Sequence, residues 1–229
     1  FDLKIRDLNY EEISKYSIEN LKPGSGYADR FKNQKSAKGA KIPKLVDLFK
    51  LVTEKKNKDV FLNLEVKSNP EKKDVTPEPE EMVSIIIKDI KSFNLEDRIV
   101  ITSFDWRILY EFKKQNPNIL RGFLTLQQNL GSTKKNIYEN SPWMEKQFPL
   151  EDLFLVPKMV KSLEGHVWSA FYRDVTKKNI DLAHELGLAV NVWTVNREKD
   201  IIKMIEYGVD GIITDYPKKV QDICKLKNI

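Results

Sequence analysis

A parallel α/β fold is what the sequence predicts, and three observations carry the prediction. Short apolar runs alternate with amphipathic stretches along most of the 229 residues, so the hydrophobic period keeps switching between strand and helix. The connections between them are short, as in repeating parallel strand–helix units. The strand-like runs are nearly continuous in apolar residues, which fits strands covered on both faces. A 41% apolar content over this length is enough for one large domain or two small ones, with a real core.

Taken in order, Asp7 to Tyr16 reads as a short helix opened by an Asx-type cap. A basic, polar loop rich in Lys and Gly follows, through Pro23-Gly24-Ser25-Gly26 and on to Gly39. Pro43 opens a helix whose apolar positions Leu45, Val46, Leu48, Phe49 and Val52 keep a helical repeat. Val60 to Lys67 is a strand, apolar until its carboxyl end. Pro77 to Asn94 is a helix with Met82, Val83, Ile86 and Ile90 on one face, and Arg98 to Phe104 is a buried strand. Trp106–Gln115 is helical and Leu120–Leu126 a strand. The stretch 127–165 reads as an irregular excursion inserted after that strand, with a short helix near Pro142-Trp143-Met144-Glu145.

Beyond the excursion, Val167–Tyr172 is a strand and Thr176–Leu186 a helix stopped by Gly187. Ala189–Val195 is a strand, Glu198–Tyr207 a helix stopped by Gly208, Gly211–Thr214 a strand, and Lys218–Leu226 the last helix. That makes about six strands, where a closed (β/α)₈ barrel needs eight.

Composition excludes several function classes. Lys+Arg number 39 against 34 Asp+Glu, a net +5, and the two signs interleave along most of the chain. This describes a solvated surface and argues against nucleic acid as the main partner. No apolar run approaches the roughly 20 residues of a membrane span. The single cysteine, Cys224, rules out an internal disulfide and a cysteine-based zinc site, leaves the compartment open, and reads as a small core residue. Two histidines, His166 in a loop and His184 on a helix, leave little room for histidine-rich metal chemistry and read as structural. Residue 1 is Phe, with no cleavage signal around it, so the chain is expected to begin inside something longer or after processing.

In parallel α/β folds ligands sit at the carboxyl ends of the strands. The polar residues at those ends are Glu65 and Lys67, Ser103 with Asp105, Thr125 with Gln127, Tyr172 with Arg173, Trp193 with Asn196, and Thr214 with Asp215. Glu65 and Lys67 are two apart, so on a strand they point to one face. A carboxylate there suits a hard cation such as Mg²⁺ or Ca²⁺, and an ammonium beside it suits a phosphate oxygen. The competing reading is a structural ion pair. Trp193 has two readings as well, as packing or as one flank of a small ligand.

Four motifs then carry a resemblance: Leu62-Asn63-Leu64-Glu65-Val66-Lys67, Thr102-Ser103-Phe104-Asp105-Trp106-Arg107, Ile42-Pro43-Lys44-Leu45-Val46-Asp47-Leu48-Phe49, and Asn191-Val192-Trp193-Thr194-Val195-Asn196 followed by Gly208-Val209-Asp210-Gly211-Ile212-Ile213-Thr214-Asp215-Tyr216-Pro217. Their order and spacing resemble the glycerophosphodiester phosphodiesterase family across nearly the whole chain outside 127–165, with bacterial exported or envelope members most in view. The resemblance implies a TIM (β/α)₈ barrel, here one domain over 1–229 supplying strands three to eight. It also implies metal-dependent hydrolysis of a small-molecule glycerophosphodiester to glycerol 3-phosphate and an alcohol. Position by position, Glu65 matches a metal ligand, Lys67 a phosphate-contacting lysine, and Trp193 the aromatic residue on the glycerol side. The family's catalytic histidine motifs and its remaining metal carboxylates do not occur in this sequence. The first two strands and the catalytic histidines are therefore expected in an N-terminal segment that this chain does not show. Two alternatives stand beside the enzyme: an inactive barrel relative that binds glycerophosphodiesters or a partner, and another phosphate-handling (β/α)₈ enzyme. The alcohol, the choice of Mg²⁺ or Ca²⁺, and the oligomeric state are left open.

Overall fold

The computed structural model describes residues 3–72, 74–131, 133–144 and 155–227. Its centre is a six-stranded, all-parallel sheet in strictly sequential order: β1 (Leu62–Glu65), β2 (Ile99–Ser103), β3 (Leu120–Thr125), β4 (Val167–Phe171), β5 (Ala189–Trp193) and β6 (Gly211–Ile212). Each strand pairs only with its chain neighbours, for example Leu62 opposite Ile99 and Phe171 opposite Trp193. Between them run α4 (Pro79–Ser92), α5 (Trp106–Gln115), α6 (Val156–Ser162), α7 (Lys177–Glu185) and α8 (Glu198–Tyr207), and α9 (Pro217–Leu226) closes the order. Three helices precede the sheet: α1 (Tyr10–Ile13), α2 (Gly26–Arg30) and α3 (Leu45–Thr53). The sheet is a partial barrel of the TIM type, every strand feeding a helix that packs back on the outside.

The outer layer is where most apolar burial lies. α5 shows why: Trp106, Ile108, Leu109 and Phe112 fall on one side of the helix and are all buried. Trp106 packs edge-on against Phe123 of β3, with ring centroids 5.0 Å apart. From β4 and β5, Trp168, Ala170, Val190 and Val192 join this layer. Alternation then turns Ser169, Asn191 and Trp193 to the inner face. Gly122 is fixed by that face, because a Cβ there would lie 2.7 Å from Thr102 Cγ2. Gly187 and Gly208 end α7 and α8 in the left-handed region, at φ 71° and 79°, as predicted.

The structure differs from the sequence reading in five places. The first helix is a single turn, Tyr10–Ile13, and its capping box is Asn9 with Glu12 rather than a cap at Asp7. The loop up to Gly39 contains α2, opened by the Ser25 hydroxyl. β1 is not covered on both faces: Leu62 and Leu64 are half-buried while Asn63 and Glu65 are exposed, because β1 has a strand on one side only. Pro142 to Met144 is a turn, not a helix, and Glu145 lies outside the described residues. Finally, Val156–Ser162 of the 127–165 stretch is regular helix with Val156, Pro157, Met159 and Val160 buried, so the irregular part is shorter than expected.

Candidate functional site at the carboxyl ends of the strands

A pocket of about 440 Å³ opens at the carboxyl ends of β1 and β2. Glu65, Lys67, Ser68, Asn69, Glu71 and Lys72 line it on the β1 side, Ser103, Phe104 and Asp105 on the β2 side, and Thr133, Lys134, Asn136 and Trp143 across the opening. Two networks hold these walls. In the first, Val66 N donates to Thr102 O at 2.8 Å and Ser103 Oγ donates to Val66 O at 2.8 Å, tying the chain beyond β1 to the end of β2. Asp105, fully buried, accepts from Ser68 Oγ at 2.7 Å and from Arg107 Nε and Nη2 at 2.9 and 2.7 Å, and it also caps α5 through Arg107 N. Asp105 is thus spent on holding the pocket wall.

In the second, Asn136 pins the loop after β3. Its Nδ2 donates to Phe104 O and Leu124 O, its Oδ1 accepts from Leu126 N, and it is 1% exposed. From there the loop reaches across the pocket, where Trp143 Nε1 and Tyr138 OH donate to Glu71 at 3.3 and 3.4 Å. Sequence reasoning missed Asn136, Glu71, Lys72 and Lys134. None lies in a motif, and only the loop's return to the mouth brings them together.

Of the predicted site residues, Glu65 and Lys67 do share one face and form an ion pair with each other. Trp193 does not line this pocket. Its indole stands inside the sheet, with Nε1 donating to Ser169 O at 3.0 Å. Its ring packs on Phe171 and edge-on against Phe104, both at 5.3 Å between centroids. Phe104 therefore connects Trp193 to the Glu65–Lys67 pocket. The Ser169 hydroxyl beside it is buried with no hydrogen-bond partner among the described residues.

Charge at the pocket is lopsided. Glu65 is matched by Lys67 and Asp105 by Arg107, whereas Lys72 and Lys134 form no ion pair among the described residues. Both histidines are far from this chemistry. His166 precedes β4 at the amino end of the sheet, where Nδ1 accepts from Arg121 N at 3.2 Å. Burial, with the Arg121 and Lys161 cations adding to it, holds its imidazole below the usual range. His184 bonds Asp210, which precedes β6. Among the described residues no three His, Cys, Asp or Glu side chains converge on a point that could hold a metal ion. Glu65 alone is too small a donor set for a cation that takes six or more oxygens. No helix among the described residues is long and apolar enough to cross a membrane.

A sequential parallel sheet with a polar, lysine-bearing pocket at the strand carboxyl ends defines an α/β protein of the TIM type. Comparison with known proteins then narrows the class. The model of the glycerophosphoryl diester phosphodiesterase family matches residues 2–219. A glycerophosphodiester phosphodiesterase of Caldanaerobacter subterraneus is 28% identical over 221 residues, covering 96% of this chain and 73% of that protein. One from Bacillus altitudinis is 28% identical over 211 residues, 92% of this chain and 73% of its own. A crystal structure from Silicibacter pomeroyi, assigned the same activity, superposes with a TM-score of 0.80 at 31% identity, over 97% of this chain and 69% of that one. An Oleispira antarctica phosphodiesterase solved with sn-glycerol-3-phosphate shares the fold at a TM-score of 0.60 and 19% identity, over 81% of this chain and 62% of that one. The chain belongs to the glycerophosphoryl diester phosphodiesterase family and is an enzyme of that class.

Proposed function

We propose that the protein hydrolyses glycerophosphodiesters to glycerol 3-phosphate and an alcohol in the pocket between β1, β2 and the loop after β3. The observation that carries this reading is the set of lysines around that pocket, Lys67, Lys72 and Lys134, beside the Glu65 carboxylate. A phosphodiester carries one negative charge and gathers more on its equatorial oxygens as water adds. Ammonium groups fixed at that point favour the transition state over the ground state. Oxygen of water bonds to phosphorus as the water gives up a proton to solvent, the bond from phosphorus to the alcohol oxygen breaks, and the departing alkoxide takes up a proton from solvent, so that the proton count balances. Lys67 holds the phosphoryl oxygens, and Phe104 forms an apolar wall on the glycerol side, backed by Trp193, which in turn packs on Phe171.

Glu65 would supply one oxygen toward a divalent cation, Mg²⁺ or Ca²⁺, as the family resemblance implies, and such an ion would draw charge from the phosphoryl oxygens. The described residues do not complete such a site. The six strands take the third to eighth positions of an eight-stranded barrel in a single domain. Support comes from their sequential order and from β1 and β6, which pair with no seventh strand among the described residues. The N-terminal segment lies across that opening: Lys4 pairs with Asp74 and Arg6 donates to Thr76 O beyond β1, while Arg30 pairs with Asp215 beyond β6. The loop after β3 is an inserted element that shapes the alcohol side.

The test is release of glycerol 3-phosphate from glycerophosphocholine, followed with and without a chelator and with Mg²⁺ or Ca²⁺ restored. Turnover that Lys67→Ala and Lys134→Ala both reduce supports the reading. Tight binding of glycerophosphocholine with no product under any metal condition would replace it with the binding-only alternative.

A further inference from the structure

Near-balance of charge over the whole chain conceals one local run. Residues 30–44 contain Arg30, Lys32, Lys35, Lys38, Lys41 and Lys44, spaced two or three apart, and no acidic residue. Arg30 is used in its pair with Asp215, and Lys44 lies over the Tyr10 ring. Lys32, Lys35, Lys38 and Lys41 are exposed and form no ion pair among the described residues.

The run is not a loose tail. Ser17 bridges Lys41 in antiparallel fashion, Ile18 N donates to Ala40 O, and Ala37 N donates to Glu19 O. The Glu19 carboxylate, the nearest acid before the run apart from Asp29 of α2, is taken up by Gly39 N. The same folded segment shows Tyr16, Ile18 and Tyr27 to solvent at 49, 50 and 60% exposure. Through Arg30 and Asp215 it sits on the side of the molecule where the strands end. On that side Arg173 and Arg197, in the loops after β4 and β5, line another pocket with Lys199, Lys203 and one carboxylate, Asp200, and none of the four cations forms an ion pair among the described residues.

We propose that this segment docks the protein, mouth first, on an anionic lipid surface. Lysines held as dispersed point charges suit the diffuse negative potential of a leaflet. Exposed Tyr and Ile side chains beside the lysines give the apolar contact that interfacial binding adds to electrostatics. A soluble polyanion would make no use of them. Docking in this orientation places the pocket where glycerophosphodiesters are released by removal of acyl chains from phospholipids.

The experiment is co-sedimentation with vesicles of phosphatidylcholine alone and of phosphatidylcholine mixed with phosphatidylglycerol. We expect partition onto the mixed vesicles only, weakening as salt is raised. Each lysine near such a surface contributes about fivefold, so the triple variant K32S/K35S/K38S should partition about a hundredfold less. These side chains are exposed, so the far-UV spectrum and glycerophosphocholine turnover in solution should not change. The triple variant K88S/K91S/K225S removes the same charge from α4 and α9 and should retain binding. Equal loss in the two triples, no partition of the unmodified protein, or binding of soluble polyphosphate without binding of vesicles would each overturn the proposal. None of these outcomes bears on hydrolysis in solution, which stands or falls by its own assay.

Discussion

The two ends of the sheet are built from similar residue types and put them to opposite uses. At the amino end Arg121, 3% exposed, gives its guanidinium to Pro117 O, Ile119 O and Glu164 O, while His166 accepts from Arg121 N. Asp210 accepts both from Val190 N and from His184. Apart from Arg121 Nε, which is buried without a partner among the described residues, these polar groups are consumed by backbone or by a neighbour. At the carboxyl end Asp105, Asn136 and Ser103 are consumed in the same way, but Glu65, Lys67, Lys72 and Lys134 stand in front of them with open space beyond. The comparison separates polar groups that close a barrel from polar groups left available for a ligand, which residue identity alone does not do.

Breaking each end should therefore give different phenotypes. The largest effect is expected from Glu65→Gln, which keeps the shape and removes the charge. Turnover should fall by about a hundredfold or more, while the thermal midpoint stays put because the Glu65–Lys67 pair is exposed. Wild-type turnover in this variant would remove Glu65 from the site. Next is Arg121→Met, which takes the donor from three carbonyls, Ile119 O buried and Pro117 O and Glu164 O partly so, and should cost about 2 kcal/mol in denaturant unfolding. Turnover per folded molecule should not change, and a selective loss of activity would mean that the amino end is not purely structural.

Asp105→Ala lies between the two regimes. It releases Ser68 and uncaps α5, so a stability loss of about 2 kcal/mol should come with a loss of about tenfold in turnover as the pocket wall loosens. The smallest effect concerns pH. Free imidazole titrates near 6.5 and burial lowers His166 below that value. The unfolded chain therefore binds this proton before the folded one does. The contribution is fully present above the unfolded pKa and is lost as pH falls through the lowered folded one. Unfolding midpoints taken between about pH 7 and pH 5 should fall less steeply for His166→Gln than for the unmodified protein.

Much of the sheet was legible because each strand or helix announces itself locally. α5 and α8 fall where the periodicity and the glycine stop put them. β1 was misread on one face because covering depends on which strand stands next to it, and that is not a local property. The site was half legible. Glu65 and Lys67 follow from spacing two apart on a strand. Asn136 and Lys134 sit in a loop without period, and only three hydrogen bonds from the Asn136 amide place them at the mouth. Trp193 was identified from the motif, but its link to the pocket through Phe104 depends on two rings meeting across the inside of the sheet.

The segment across the opening also has a bearing on the order in which the molecule is made. Every strand pairs with its chain neighbour, so the sheet can grow in the direction of synthesis. Residues 3–44 are seated on Asp74 and Thr76 beyond β1 and on Asp215 and Tyr216 beyond β6, and the Arg30–Asp215 pair spans 185 residues. Closing a loop of that length has to wait until β6 has emerged and docked. The stretch that leaves the ribosome ahead of these six strands can reach Asp74 early but completes its docking last, and until then the lysine run lacks its seat beyond β6.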